Sequence, residues 1–314
     1  MIVRNIFLFG QNGFIGTHLY NFLKKKKNIK IIQNISFKKK EKNKDIENYY
    51  NKYWTKIVCK CDTIIYLSFN NDLNDLKKSP LNSFREALYP LYLLCDIVRK
   101  SKKDLKIIYL STASLYGANI KIPANEKSKI ELYNIYEQLK YLSEKILMNS
   151  KIKNLNYNIL RLSNVYGENI SKSKQSNRQV LTKIIQNAFE KKEIKVFGSG
   201  NFYRDFVNVK DVCQVIYKLI VKNKVKDEIF NIGSGQKLKL VSIFKNIKTL
   251  IKNDYGISIK IKKIKLKNIN TDKSDTRNFQ ASITKIKTKL NWKPQIKFSV
   301  GLRNLVNYIY ANKN

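Results

Sequence analysis

Gly10, Gly13 and Gly16 stand three apart in IFLFGQNGFIGTHLY, and glycines so spaced suit one chemistry, the approach of backbone N–H groups to a phosphate. Gly10 allows a tight turn, Gly13 lets the main chain come close to a pyrophosphate, and Gly16 permits close helix packing. A glycine triplet is also an ordinary turn, so its place matters. It falls between the apolar run Ile6 to Phe9 and a helical pattern of Phe14, Ile15, Leu19, Phe22 and Leu23. Downstream, Tyr136 and Lys140 lie four apart in NIYEQLKYLSEKIL, which puts a phenol and an ammonium on one helical face. In a chain rich in both residues such a pair alone is as well read as surface decoration. Thr112 comes between these features in IYLSTASLYG, residues 108–117, where the apolar and aromatic Ile107 to Leu110 give way to small hydroxyl residues. That change is expected at the carboxyl end of a buried parallel strand, the edge at which open α/β sheets bind ligands.

Positioning these groups requires strands and helices in alternation. Strand character resumes at Ile29 to Ile32, and apolar strands recur at DTIIYLS, LKIIYLS and YNILRLS with helical segments between them. This pattern predicts an α/β fold, a Rossmann-type doubly wound parallel sheet with helices on both faces. After about Asn164 the chain turns polar and irregular, and a smaller α+β substrate-binding lobe is expected there. The division is a dinucleotide-binding domain over 1–165 and a mainly substrate-binding lobe over 166–314, with 205–235, which contains EIFNIGSG, returning to the first domain. The tail ends in an amphipathic helix from Val300 to Tyr310.

Composition narrows the function classes. The chain has 314 residues and is 43% hydrophobic, enough for two lobes around a substantial core. No apolar run reaches the roughly 18 residues of a membrane span and no signal-peptide pattern opens the chain, so a soluble cytoplasmic protein without membrane contact is expected. Cys59, Cys61, Cys95 and Cys213 offer neither a disulfide framework nor metal-ligand spacing, and the single histidine, His18, lies in the first helix, so no metal is expected and Ser-His or Cys-His hydrolysis is disfavoured. The formal net charge of +39 invites a nucleic-acid reading, but lysine is spread along the whole chain and arginine is scarce. Solvated helix ends and loops account for the lysine runs, and an RNA- or dinucleotide-binding protein without catalysis is the alternative of another class.

Taken in order, the glycine turn, Thr112, the Tyr-x-x-x-Lys helix and LRLSNVYG resemble the short-chain dehydrogenase/reductase superfamily, in its extended branch of nucleotide-sugar epimerases and dehydratases. VFGSGNFYRDFVNVKDV, FNIGSG and LNWKP carry the resemblance on to Pro294. It implies a catalytic triad of Thr112, Tyr136 and Lys140. The Thr112 hydroxyl would hold the reacting sugar oxygen, Tyr136 would take and return its proton, and Lys140, with the positive nicotinamide ring, would favour the phenolate of a side chain whose ordinary pKa is about 10. The family's 4,6-dehydratases carry an acidic pair after the threonine. Here Ala113 and Ser114 stand in those places, which excludes dehydration and leaves a nucleotide-sugar 4-epimerase, or alternatively an NAD(P)H-dependent 4-keto-sugar reductase.

The same resemblance implies a cofactor site of Gly10, Gly13, Phe14, Ile15, Gly16, Asn34, Asp45, Ile46, Leu67, Ser68, Tyr136, Lys140 and Ser163. NAD is the expected cofactor. NADP is the alternative, because Asn34 replaces the acidic residue that binds the adenosine ribose and Lys38 to Lys40 follow it. Ala87 stands where the family commonly has asparagine near the nicotinamide. For a nucleotide-diphosphate sugar the implied residues are Thr112, Asn164, Gln179, Val180, Val196, Phe197, Arg204, Asp275 and Arg277, with the Arg204 guanidinium suited to bidentate phosphate binding. An ion pair with Asp205 is the structural alternative for Arg204. A homodimer through the helix of residues 83–100 and the Tyr-Lys helix is expected.

Overall fold

The computed structural model of the chain describes residues 2–33, 46–70, 72–118, 120–171, 179–222, 224–264 and 277–313. Continuous apolar runs become strands and the glycines or caps between them start helices. In chain order the elements are β1 (Arg4–Phe9), α1 (Phe14–Leu23), β2 (Ile29–Ile32), α2 (Ile46–Lys60), β3 (Thr63–Tyr66), α3 (Leu73–Lys78), α4 (Pro80–Ser101), β4 (Leu105–Thr112), α5 (Ile135–Asn149) and β5 (Leu155–Leu162). There follow β6 (Asn164–Tyr166), α6 (Val180–Lys191), β7 (Glu193–Phe197), β8 (Tyr203–Arg204), β9 (Phe206–Asn208), α7 (Val209–Val221) and β10 (Glu228–Ile232). Last come β11 (Leu238–Lys239), α8 (Leu240–Tyr255), β12 (Lys260–Ile264), α9 (Thr284–Leu290) and α10 (Phe298–Ala311).

The central sheet has six strands in the order β10-β5-β4-β3-β1-β2, and the β1–β2, β1–β3 and β3–β4 ladders run parallel. The chain leaves β1 for one side and returns to β3 on the other, which makes the β1/β3 crevice the switch point where open α/β sheets take ligands. Register carries this into the site. Phe9 pairs with Tyr66 and Tyr66 with Tyr109, so the residues that follow each strand emerge along one edge. Thr63 to Tyr66 are all buried, as a strand covered on both faces requires.

The chain divides into two compact units, one of Met1–Leu115, Asn134–Arg161 and Val215–Phe230, the other of Tyr116–Tyr133, Leu162–Gln214 and Asn231–Asn314. In the first, Trp54, Ile57, Leu91 and Leu94 from α2 and α4 pack with Phe7, Ile64 and Ile107 of the sheet. The second has three two-stranded sheets, β6–β9 and β7–β12 parallel and β8–β11 antiparallel, around Ile185, Phe189, Phe206, Ile247 and Leu305. Among the described residues no helix is long and apolar enough to cross a membrane, and no cluster of His, Cys, Asp and Glu side chains could hold a metal. All four cysteines are free thiols.

Candidate active site

The turn after β1 has little freedom. Gly10 sits at φ +102°, and a Cβ there would lie 2.6 Å from the Ser68 backbone nitrogen. A Cβ at Gly16 would lie 2.3 Å from the Gly10 carbonyl oxygen, so both glycines are required by the fold itself. Gly13 differs. Its Cβ would meet the Gly10 oxygen only at 3.4 Å, so internal packing does not demand glycine there. Gly13 caps α1 without any side-chain hydrogen bond, and no acidic residue occupies the first turn. The open N–H groups and positive dipole end of α1 fit an anion at this bare backbone. Leu67 and Ser68 adjoin it, both backbone nitrogens donating to the Phe9 carbonyl at 2.8 Å. Phe14 and Ile15 are half-buried in the first turn of α1, and Phe14 packs edge-on against His18, which is buried as a structural residue. Asn34 and Asp45 lie outside the described residues, and Ile46 is described only as the first residue of α2.

Thr112 ends β4, and α5 brings Tyr136 to it. Asn134 caps that helix, its side chain accepting from the Glu137 N–H at 3.0 Å, so Tyr136 and Lys140 fall in its first two turns. The Tyr136 phenol lies beside Thr112, whose hydroxyl favours its ionised form. Thr112 Oγ1 donates to Ser114 Oγ at 3.0 Å and accepts from the Ser114 N–H at 3.1 Å, so two bonds tie it to Ser114. Lys140 Nζ donates to the Leu110 carbonyl at 2.6 Å and lies 4.1 Å from the centre of the Phe69 ring and 4.9 Å from that of Tyr109. One turn further on, the buried Glu144 carboxylate receives Arg161 through Nη2 at 2.7 Å and Nε at 3.1 Å.

Electrostatically the two titrating groups are pushed away from charge. Burial raises the Tyr136 phenol to about 12, with the Thr112 hydroxyl working the other way and Glu137 adding to the rise. Burial lowers Lys140 to about 7, opposed by the charge of Glu144. A phenolate at Tyr136 therefore needs further positive charge close by. Sequence reasoning missed Phe69, Glu144 and Arg161. The i+4 spacing of Glu144 after Lys140 and the scarcity of arginine were the available signals.

In the second unit Arg204 does not use Asp205. Arg204 Nη1 donates to the carbonyls of Tyr203 and Arg277, which brings the two arginines together. The buried Asp205 carboxylate instead accepts from Ser234 N and Oγ, both at 2.7 Å, Gly235 N at 3.0 Å and Ala281 N at 3.1 Å. Asn164 Nδ2 donates to the Asp205 carbonyl at 3.0 Å. Ser163 N donates to Ile232 O, and its buried Oγ has no protein partner among the described residues. Gln179 caps α6 and Val180, its first residue, is exposed, whereas Val196 is buried in the core of this unit on β7. Phe197 is described only as the last residue of β7, and Asp275 lies outside the described residues.

Comparison with known proteins gives the family and the fold. The sequence model described as the NAD dependent epimerase/dehydratase family matches residues 6–233. A putative UDP-glucose 4-epimerase of Methanocaldococcus jannaschii is 28% identical over 220 residues, covering 70% of this chain and 67% of that protein. The crystal structure of a UDP-glucose 4-epimerase of Thermotoga maritima, solved with UDP-glucose, superposes with a TM-score of 0.80 at 24% identity, covering 99% of this chain and 100% of that one. RMD of Pseudomonas aeruginosa, complexed with NADPH, gives a TM-score of 0.80 at 17% identity, covering 98% and 100%. The two structures share the fold, and the sequence match over most of the chain carries the kinship. The chain belongs to the NAD dependent epimerase/dehydratase family, within the extended short-chain dehydrogenases/reductases.

Proposed function

We propose that the protein is a nucleotide-sugar 4-epimerase with Thr112, Tyr136 and Lys140 as its catalytic residues. The observation that carries this reading is the Tyr136 phenol set beside a Thr112 hydroxyl itself fixed by Ser114, with Lys140 one turn along the same helix. Gly10, Gly13, Gly16, Phe14, Ile15, Leu67 and Ser68 would hold a nicotinamide dinucleotide, its pyrophosphate at the start of α1. When bound there the nicotinamide supplies a reversible acceptor for the hydrogen on sugar C4. Thr112 holds the 4-hydroxyl oxygen, Tyr136 removes its proton as the carbon is oxidised, and the same phenol returns the proton to that oxygen when the turned 4-keto sugar is reduced on its opposite face. Lys140 contributes positive charge that favours the phenolate.

Ala113 and Ser114 place no carboxylate beside Thr112, and Ser114 is committed to the threonine. This supports epimerisation over dehydration. A reductase using NADPH is the second reading, favoured by the solved neighbour that holds NADPH. NAD retained through purification supports the epimerase, and an empty protein that takes up NADPH supports the reductase. In the second unit we assign the sugar-nucleotide diphosphate to Arg204, with Arg277 beside it and Asn164 nearby in the same unit.

The reading predicts that Tyr136→Phe lowers turnover of a UDP-hexose by about 100-fold or more while NAD affinity stays within a few-fold. Calorimetry and a coupled assay check this, and retained turnover contradicts it. We also propose a homodimer. Helices α4 and α5 leave a groove of about 660 Å³ lined by Phe84, Leu88, Tyr92, Cys95, Leu142 and Ile146. Phe84, Tyr92 and Leu142 are 53%, 64% and 41% exposed, which is unusual for large apolar side chains grouped on one face.

A further inference from the structure

Lys140 has an unusual setting for a buried ammonium. Its helix supplies Tyr136, Glu137 and Glu144. The Glu144 carboxylate is engaged by Arg161 of β5, so its charge reaches Lys140 across one helical turn and is shared with a guanidinium. β4 supplies the Tyr109 ring and the Leu110 carbonyl. The packed helices α3 and α4 present apolar Leu76, Ala87 and Leu88. The nearest ring is that of Phe69, three residues past the end of β3 on the ligand edge of the sheet. The Phe69 centroid lies 4.1 Å from Lys140 Nζ and 5.5 Å from the Tyr136 ring, which it meets at 83°. Phe69 is half-buried and belongs to the same apolar cluster as Tyr136, Ala87 and Leu139. A hydrocarbon side chain of that size would desolvate the ammonium and return nothing. An aromatic face returns electrostatic attraction.

We propose that Phe69 is a positioning residue of the catalytic site: with Tyr109 it forms a two-ring cage that holds the Lys140 ammonium as a cation and aims it along the face shared with Tyr136. The inference rests on the catalytic reading of Tyr136 and Lys140 given above and adds a residue to it. The ring offsets part of the desolvation that favours neutral lysine, so removing it while keeping apolar bulk shifts Lys140 further toward the neutral amine. Less of the cation then remains at a given pH, the alkaline limb of turnover moves down, and the phenolate loses support.

The test uses the full chain labelled with [13Cε]lysine, with the Lys140 resonance assigned by its absence in Lys140→Met. In Phe69→Leu the Lys140 titration midpoint falls by about half a pH unit to one unit, the shift a cation–π contact of this kind produces. In Phe69→Tyr, which keeps the ring, the midpoint stays at the wild-type value. An unmoved midpoint in Phe69→Leu, or an equal fall in Phe69→Tyr, overturns the cage. The alkaline limb of kcat for UDP-hexose turnover should move with the midpoint. The titration needs neither cofactor nor turnover, so it decides on the cage even where the epimerase reading fails, and failure of Tyr136→Phe to affect turnover would sink that reading alone.

Discussion

A phenol at about 12 and an ammonium at about 7 both lie on the uncharged side of their ordinary values, and burial is the cause in each case. The Lys140 shift has a sign that can be measured as stability. Its folded value lies below the 10.5 of the exposed side chain, so between those values the unfolded chain binds the extra proton. Unfolding free energy from this group therefore rises with pH across that window and is lowest below pH 7. Lys140→Met should flatten this slope relative to wild type in urea melts at several pH values, and parallel slopes would contradict the assignment. Ser114 offers a finer test. Its backbone N–H and hydroxyl fix Thr112 Oγ1, so Ser114→Ala should lower kcat by about 3- to 10-fold, the worth of one hydrogen bond of about 1 kcal/mol, with KM little changed. Thr112, Tyr136 and Lys140 stood out in the sequence because their types and order are distinctive. Phe69 was not, since nothing in YLSFN says which way a ring after a strand will turn. Asp205 was misjudged in the alternative reading because adjacency to Arg204 in sequence suggests a pair, whereas alternation along the backbone sends the two side chains to different partners.

The helix that carries Tyr136 and Lys140 is held at both ends of its active face. Asn134 caps it, and Glu144 ties it to β5 through Arg161, with both partners almost fully buried. Breaking such a pair from one side leaves an uncompensated buried charge, so Glu144→Ala should cost about 3–5 kcal/mol in chemical denaturation. Replacing both members with apolar residues should cost far less than either single change suggests, and additivity of the two single losses would refute this account. In the second unit Asp205 serves as a hub for the Ser234–Gly235 turn and Ala281, and it fixes Gly233, whose Cβ would lie 2.7 Å from the carboxylate. Alternating strands and helices with long apolar runs made β1, β3, β4 and β5 legible in the sequence. The two- and three-residue strands β6, β8, β9 and β11 are too short to show a period, so they could be read only from the coordinates.

The whole molecule combines a six-stranded sheet, whose carboxyl edge gathers the glycine turn, Leu67, Ser68 and Thr112, with a second unit formed from three separate stretches of chain. Sequence pattern marks the first because apolar runs are continuous. It does not show that 116–133, a few residues after β4, groups with the second unit, because that grouping depends on contacts with residues far along the chain, such as Tyr116 Oη with Asn231 and the Ala124–Ala281 bridge. At this scale the apolar groove on α4 and α5 predicts a dimer at micromolar concentration by light scattering, and Tyr92→Glu should shift the mass to that of a monomer. A wild-type mass of 36.9 kDa would refute the dimer. The central claim, that Tyr136 is the acid and base of a nicotinamide-dependent oxidation of a nucleotide sugar, is tested most directly by single-turnover mixing of the NAD-loaded protein with UDP-hexoses while the absorbance of reduced nicotinamide is followed. The account predicts a transient rise in the wild type and none in Tyr136→Phe carrying the same load of NAD; an equal rise in both would contradict it.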